Sequence, residues 1–229
     1  TAALRPNSSD LMERYRLAGR LSLRFGGGKN RDIYTAAGYD ESVDYGRYLM
    51  RYLRQDVARR IVNVAADDSW RLGPELLDGA DADTALEDTE FTLAWLALAA
   101  GRAEEAEPQR GILHYMHRLD RVSGVGRYGV MFLGLRDGLP PDAEATANSL
   151  RGPEDLLFAA VFDEASARVL RWEADRQSPR YGRPTHYQLT ERGDTGAVVT
   201  FEAHWTRCIH VADNALTSDL YGSSRLEPV

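Results

Sequence analysis

The sequence has little of several features that define whole classes of protein. Cys208 is the single cysteine among 229 residues, so the chain has no internal disulfide, no dithiol redox pair and no cluster of zinc-binding thiolates. Because Cys208 lies in a short apolar run, we expect a buried and unreactive thiol there. No apolar run approaches the roughly 18 residues that a membrane helix requires, and no signal peptide is visible.

Cationic residues are also scarce relative to acidic ones. Lys29 is the only lysine, and the formal net charge is −7. This balance argues against a general nucleic-acid-binding protein, because such proteins depend on neutralising phosphates. The remaining composition, 43% apolar and 28% charged, is typical of a globular protein. The chain starts at Thr1 rather than at methionine and stops at Val229 with no natural stop pattern, so we expect a fragment.

The charges are unevenly distributed along the chain. Residues 1–31 have a local balance of +5, whereas residues 78–107 contain nine carboxylates against Arg102, a balance of −8. Segments of opposite charge can pair within a chain or between identical neighbours in a ring, and they can equally be two solvated faces.

Hydrophobic periodicity predicts an α+β fold with a helical first half and a β-rich second half. We predict an N-terminal arm over residues 1–40, a mainly helical segment ending in a strand over 41–136, a loop over 137–156 and a β-rich segment over 157–229. Helices are predicted over residues 44–64, 84–100 and 109–123, and strands over residues 130–135, 159–162, 169–172, 186–190, 197–201 and 208–211.

The first predicted helix carries a stripe of tyrosines. Apolar residues recur at three- and four-residue steps along this helix, and arginines occupy the opposite face. The apolar residues are Tyr45, Tyr48, Leu49, Tyr52, Leu53, Val57 and Ile61. Tyrosines can stack on nucleic-acid bases, but a stripe at helical spacing is more often part of a core. We therefore predict that these side chains pack inside the protein.

Gly124, Gly126 and Gly129 match the dinucleotide-binding fingerprint G-x-G-x-x-G. That motif binds a pyrophosphate only when a strand precedes the glycines and a helix follows them. Here a helical pattern precedes the glycines and an apolar strand-like run follows, so a phosphate would face the wrong end of the helix dipole. We predict a helix stop and a tight corner, and we expect no bound cofactor.

Two further patterns could hold a metal ion. Asp67 and Asp68 are paired carboxylates, but without a nearby third ligand a capping or turn role is favoured. His114 and His117 are spaced so that their imidazoles could approach each other, yet the sequence offers no third zinc ligand and no general base beside them. We expect a structural histidine pair and no metal site.

His204 and Thr206 form an H-x-T half-motif of two-histidine phosphodiesterases. In that chemistry one histidine is the general base and a second histidine is the general acid, so a single motif supplies half of the mechanism. The chain contains no second His-x-Thr or His-x-Ser. We favour strand positions for His204 and His210, and we expect no enzyme.

Several phrases, taken together in their order and spacing, resemble the N-terminal part of the tailed-bacteriophage portal protein family. The phrases are Arg54–Ile61 leading to Trp70–Gly73, then Asp120–Gly129, Ser178–Pro184, His204–His210 and Leu220–Pro228. The resemblance covers nearly the whole chain, from about Leu11 to Pro228. Its motif residues are Trp70, Gly124, Gly126, Arg127, Tyr128, Gly129, Ser178, Pro179, Tyr181, Gly182, His204, Trp205, Arg207, His210, Tyr221 and Gly222.

The resemblance implies a structural role in the virion. Portal proteins form a ring, usually of twelve subunits, at one capsid vertex; the terminase pumps double-stranded DNA through the channel without sequence specificity, and tail-adaptor proteins attach afterwards. The N-terminal portion forms most of the outer α+β wing, and the Tyr221–Leu226 phrase leads into the first stem helix. The expected location is the virion, and the host cytoplasm during assembly, for a phage or prophage protein without a membrane partner.

Two hypotheses other than a portal subunit are also consistent with the sequence. Some similar phage proteins carry a two-histidine phosphodiesterase that destroys the cyclic nucleotides of bacterial defence, so the chain could be the N-terminal domain of such an enzyme. The other alternative is a generic α+β interaction domain. In a portal ring, the basic segment over residues 1–31 would bind the acidic segment over residues 78–107 of the neighbouring subunit.

Overall fold

The computed structural model describes residues 43–79, 89–102, 109–146, 150–193 and 196–227. Within these ranges, four α-helices in the first half precede two small antiparallel sheets of three strands each, so the α+β prediction is confirmed. The helices are α1 (Tyr45–Arg54), α2 (Asp56–Ser69), α3 (Glu90–Ala100) and α4 (Ile112–Val125). The strands are β1 (Gly101–Arg102), β2 (Gln109–Arg110), β3 (Gly129–Leu135), β4 (Leu156–Asp163), β5 (Ala167–Trp172), β6 (Pro184–Arg192), β7 (Val198–His204) and β8 (Cys208–Val211).

The molecule is layered around β3. The first sheet has the order β4-β3-β8, the second has the order β5-β6-β7, and all neighbouring strands are antiparallel. Because side chains alternate along a strand, Val130 and Phe132 of β3 pack on the second sheet, while Met131 faces the helices with Ile112 and Leu119 of α4. One strand therefore joins two cores. It also places the end of the predicted helical segment inside the sheet formed by later residues.

The predicted single helix over residues 44–64 is wrong, because the chain breaks at Gln55 into α1 and α2. The backbone of Gln55 is extended, with φ −117 and ψ 121. The break lets the Tyr52 hydroxyl donate to Asn63 Oδ1 at 3.0 Å. Eleven residues span about 16 Å in a straight helix, so this hydrogen bond requires the chain to fold back on itself.

The core prediction for this stripe is wrong for Leu53, Val57 and Ile61, which are exposed. The tyrosines of α1 contact the rest of the protein. Tyr48 is buried, and Tyr45 donates to Asp163 Oδ2 of β4 at 2.9 Å. Burial and the neighbouring carboxylates raise the pKa of Tyr45, the effect of burial being the largest. Tyr45 and Tyr48 therefore hold α1 against the rest of the fold.

Several predicted boundaries shift. The helix predicted over residues 109–123 begins at Ile112, since Gln109–Arg110 instead pair with Gly101–Arg102 as a short ribbon. The helix predicted from residue 84 begins at Glu90, where Thr89 and Thr92 form a reciprocal capping box; residues 80–88 lie outside the described ranges. Its predicted end at Gly101 is confirmed, with φ 73 at that glycine. The predicted arm over residues 1–40 also lies outside the described residues.

Candidate functional site

The glycine-rich corner joins α4 to β3, in the helix-then-strand order that the sequence predicts. A Cβ at Gly124 would lie 2.8 Å from the Cδ atom of Arg225, and a Cβ at Gly126 would lie 2.9 Å from the ring of Tyr45. The space that these glycines leave open is occupied by protein side chains. The corner is therefore a packing site for the chain itself.

The segment over residues 213–227, which we call the clasp, runs back across this corner. Ser224 Oγ donates to the carbonyl of Val125 at 2.7 Å, and the Arg225 amide donates to the carbonyl of Gly124 at 2.9 Å. The last carbonyls of a helix have no partner within the helix, so the clasp satisfies the C-terminal end of α4. The Gly222 amide adds a third bond, to the carbonyl of Arg127 at 2.8 Å.

The Arg225 guanidinium joins three parts of the chain. It donates to Asp120 Oδ1 of α4 at 2.8 Å, to the carbonyl of Val62 in α2 at 2.9 Å, and to the carboxylate of Asp213. The indole nitrogen of Trp70 donates to the other oxygen of Asp120 at 3.0 Å. Trp70 and Arg225, which are far apart in the sequence, therefore share one carboxylate, and α2, α4 and the clasp are held together.

An aromatic stack covers the other side of the clasp. The rings of Tyr128 and His210 stack with centroids 4.8 Å apart, and Tyr221 meets Tyr128 edge-on at 5.6 Å. The Tyr128 hydroxyl donates to the Ala167 carbonyl at 2.7 Å, and burial raises the pKa of this phenol to about 12. The Arg127 guanidinium lies 5.3 Å from the centre of the Tyr221 ring, so the stack ends in a cation–π contact.

His210 is held as a neutral imidazole within this stack. Its Nε2 lies 2.7 Å from the Leu220 carbonyl, which can only accept, so Nε2 carries the proton. Its Nδ1 lies 3.3 Å from the Tyr187 hydroxyl and is then the acceptor of that bond. Burial lowers the pKa of His210, although the hydrogen bond to Leu220 acts in the opposite direction.

We predict that acid destabilises the protein through His210. Because its folded pKa lies below the ordinary value of 6.5, the unfolded chain binds the proton first, so stability is intact above about pH 6.5 and falls as the pH drops towards the folded pKa. Urea unfolding from pH 7.5 to 5 should show this loss, and His210→Gln, which keeps a donor for Leu220, should flatten the profile. An identical pH dependence in the variant would contradict the prediction.

The second group of motif residues surrounds the turn between β5 and β6. The guanidinium of Arg180 lies 3.3 Å over the ring of Trp205 and donates to the Pro184 carbonyl at 2.9 Å. Ser178 Oγ accepts from the Arg180 amide at 3.2 Å, and Gly182 has the positive φ of 74 that favours glycine. The remaining two motif residues, Pro179 and Tyr181, are exposed in this turn.

The two motif residues, His204 and Thr206, are hydrogen-bonded to each other, and Thr206 is also hydrogen-bonded to the backbone of Ala145. Thr206 Oγ1 accepts from the Ala145 amide at 2.8 Å and is hydrogen-bonded to His204 Nδ1 at 2.9 Å, so the threonine links the loop before β4 to the imidazole. Burial lowers the pKa of His204, and the neighbouring His186 lowers it further. The His186 and His204 rings meet edge to face with centroids 5.1 Å apart. That contact leaves no room for a phosphoryl group between the two imidazoles.

Arg207 forms the most deeply buried ion pair among the described residues. Its Nη2 donates to Asp137 Oδ2 at 2.5 Å, and the two side chains are 2% and 0% exposed. Burial alone would raise the pKa of Asp137, but the hydrogen bonds from Arg207, the hydrogen bond from the Leu139 amide and the charge of Arg207 together hold that pKa below its ordinary value. The neighbouring Cys208 is the expected unreactive thiol, since burial raises its pKa to about 12.

The two candidate metal patterns take part in one ion-pair network. Asp67 lies inside α2, which ends at Ser69, so the predicted turn begins later than Asp67. Its Oδ1 is 3.0 Å from His117 Nε2 and also accepts from Arg121, whose hydrogen bond keeps the pKa of Asp67 low. His114 turns instead towards Arg110. In the described ranges, no three metal-ligating side chains come close enough together to hold an ion.

The chain was compared with protein-family models and with curated proteins. No protein-family model matches it, and no curated protein matches it significantly. Within the part of the chain that the structure describes, no helix has the length and apolar character needed to cross a bilayer.

The motif residues therefore fall into two groups, one at the clasp and one around Trp205 and Arg207. The sequence patterns did not identify most of their partners. Asp120 and Arg225 lie inside the quoted phrases, whereas Asp137, His186 and Asp213 lie outside them, as does Glu164, which accepts from Arg127 Nε at 2.7 Å. The only available signal for Asp137 was its place before a glycine, which indicates a turn and says nothing about an arginine 70 residues away.

Proposed function

We propose that this chain is the wing portion of a bacteriophage portal protein, a non-enzymatic subunit of the ring through which genomic DNA is packaged and ejected. The clasp is the observation that supports the proposal. Four phrases that carry the resemblance, around Trp70, Gly124, His210 and Arg225, pack against one another there. They form a framework that fixes the segment from which the resemblance places a stem helix.

The partners follow from the same proposal. The chain would assemble with identical copies, usually twelve, and the ring would contact the capsid, the terminase and tail-adaptor proteins. Double-stranded DNA would pass through without sequence-specific contacts. The net charge of −7 is compatible with that role, because a channel that lets DNA slide should not bind phosphates tightly. The proposed location is the virion, and the host cytoplasm during assembly.

Electron microscopy of the purified gene product that carries this chain tests the proposal. We expect ring-shaped particles with a central channel. A product that yields only small compact particles at micromolar concentration would contradict the proposal. Hydrolysis of cyclic oligonucleotides that disappears in His204→Ala would instead support the phosphodiesterase alternative, and the Arg192→Ala variant, altered at an exposed position on β6, controls for nonspecific loss.

A further inference from the structure

A stripe of apolar side chains is exposed along α1 and α2. Met50 and Leu53 lie three residues apart on α1, and Val57 and Ile61 lie four residues apart on α2, beyond the break at Gln55; Val57 is 73% exposed. We call this set the stripe. It lies in a cationic part of the chain, since residues 45–65 contain five arginines and one aspartate. Arg54 and Arg60 are exposed beside it, one helical turn from Met50 and Val57 respectively.

A second exposed apolar surface lies on α3 and the segment before it. Leu96 of α3 is 58% exposed and borders a cavity of about 560 Å³ that residues 72–77 complete. Leu93 on α3 and Leu72, which is 96% exposed, extend the apolar area. We call this surface the α3 face. Its exposed charges are mainly acidic, namely Glu75, Asp78 and Glu90, and Arg71 is paired with Asp68.

The two surfaces are complementary in charge and similar in their apolar character. Contiguous exposed apolar patches on a folded protein usually mark interaction sites. Pairing the stripes of two copies would bring arginines together, and pairing two α3 faces would bring carboxylates together. Repulsion between like charges therefore disfavours both symmetric contacts. Only the contact between unlike surfaces covers the apolar side chains and also pairs opposite charges.

We propose that the stripe of one copy binds the α3 face of a second copy of this chain. Such a contact is heterologous, because each copy uses one surface to bind and presents the other, and it therefore produces a closed ring or an open filament. The inference identifies the subunit contact of the proposed ring and rests on the proposed function only for ring closure. It also replaces the residue 1–31 segment with α1 and α2 as the cationic partner of the acidic surface.

Charge exchange tests the contact with the 229-residue chain. The stripe variant carries Arg54→Glu with Arg60→Glu, and the α3-face variant carries Glu75→Arg with Asp78→Arg. Sedimentation velocity at low salt, from about 10 μM to 1 mM, measures self-association of each protein alone and of an equimolar mixture. We expect each variant alone to associate at least about tenfold more weakly than the native chain, because its two surfaces now repel.

The mixture supplies the decisive result. The altered stripe matches the altered α3 face, and the two unaltered surfaces also match, so mixing should restore association to within about threefold of the native value. Matched controls reverse the same numbers of charges on exposed residues elsewhere. Arg176→Glu with Arg192→Glu controls for the stripe variant, and Asp142→Arg with Glu191→Arg controls for the α3-face variant; both should associate like the native chain.

Three outcomes would overturn the inference. The first is a native chain that stays monomeric at every concentration. The second is a mixture of the two variants whose association does not recover. The third is weaker association in the α3-face variant with no change in the stripe variant, which would assign the α3 face to residues 1–31 or to another partner. The proposed function is tested separately. Rings that form despite both exchanges would reject this contact and leave the portal proposal intact. Association that the charge exchanges weaken, but that never produces rings, would support this contact and reject the portal proposal.

Discussion

Replacing Arg207 with methionine should lower the free energy of unfolding by about 3–5 kcal/mol, the cost expected when one partner of a buried ion pair is removed. The substitution leaves the Asp137 carboxylate with no compensating charge in a site where both native side chains are almost fully buried. It also removes the bond from Arg207 Nε to the Ala143 carbonyl, which measures 2.9 Å. Urea unfolding followed by circular dichroism at pH 7 measures the loss.

The matched control for this variant is Arg183→Met, which breaks the ion pair with Asp219 on the surface. That pair is 45% and 77% exposed, so its loss should cost less than about 1 kcal/mol. The Arg207 effect should also shrink in acid. Arg207 keeps the pKa of Asp137 below its ordinary value, so the stability that the pair supplies is present above about pH 4 and is lost as the pH falls through the folded pKa. Equal costs at the buried and exposed pairs would contradict this account.

The sequence predicted the elements better than their boundaries. Alternation of apolar residues located β8 at residues 208–211 and the core of every strand in the two three-stranded sheets, because the side-chain period depends on local sequence alone. The break at Gln55 could not be predicted in this way. The hydrogen bond between Tyr52 and Asn63 that accompanies the break forms only once the two helices pack, and local periodicity does not report such a contact.

In the candidate site, too, local features were predictable from the sequence and long-range contacts were not. The helix-then-strand order around Gly126 was sufficient to predict a helix stop and a tight corner, because the switch from a helical to a strand-like apolar pattern is local. The partner of Trp70 was not predictable, since Asp120 is 50 residues away and is itself shared with Arg225. Similarly, the H-x-T motif gave no indication that His186 would lie opposite His204, because the pairing register of β6 and β7 places them there.

The clasp gives the second large expected effect. Arg225→Met should lower the free energy of unfolding by about 2–4 kcal/mol, because Asp120 and Asp213 would lose the cation between them and the Val62 carbonyl would lose its donor. The value is below that for Arg207 because the Arg225 side chain is 14% exposed, and water can reach part of the site.

Hydrogen exchange separates this role from a general loss of stability. In Arg225→Met, amides of the clasp that bond to α4 and the corner, such as Gly222 and Arg225, should exchange faster than those of β6, because the clasp opens locally before the sheets unfold. Arg225→Lys is the matched variant: its ammonium keeps the charge but cannot span both carboxylates and the carbonyl, so an intermediate effect is expected. Uniform acceleration across the clasp and β6 would mean that Arg225 stabilises the whole fold. Selective acceleration would show that the clasp opens locally and that Arg225 holds it against α2 and α4.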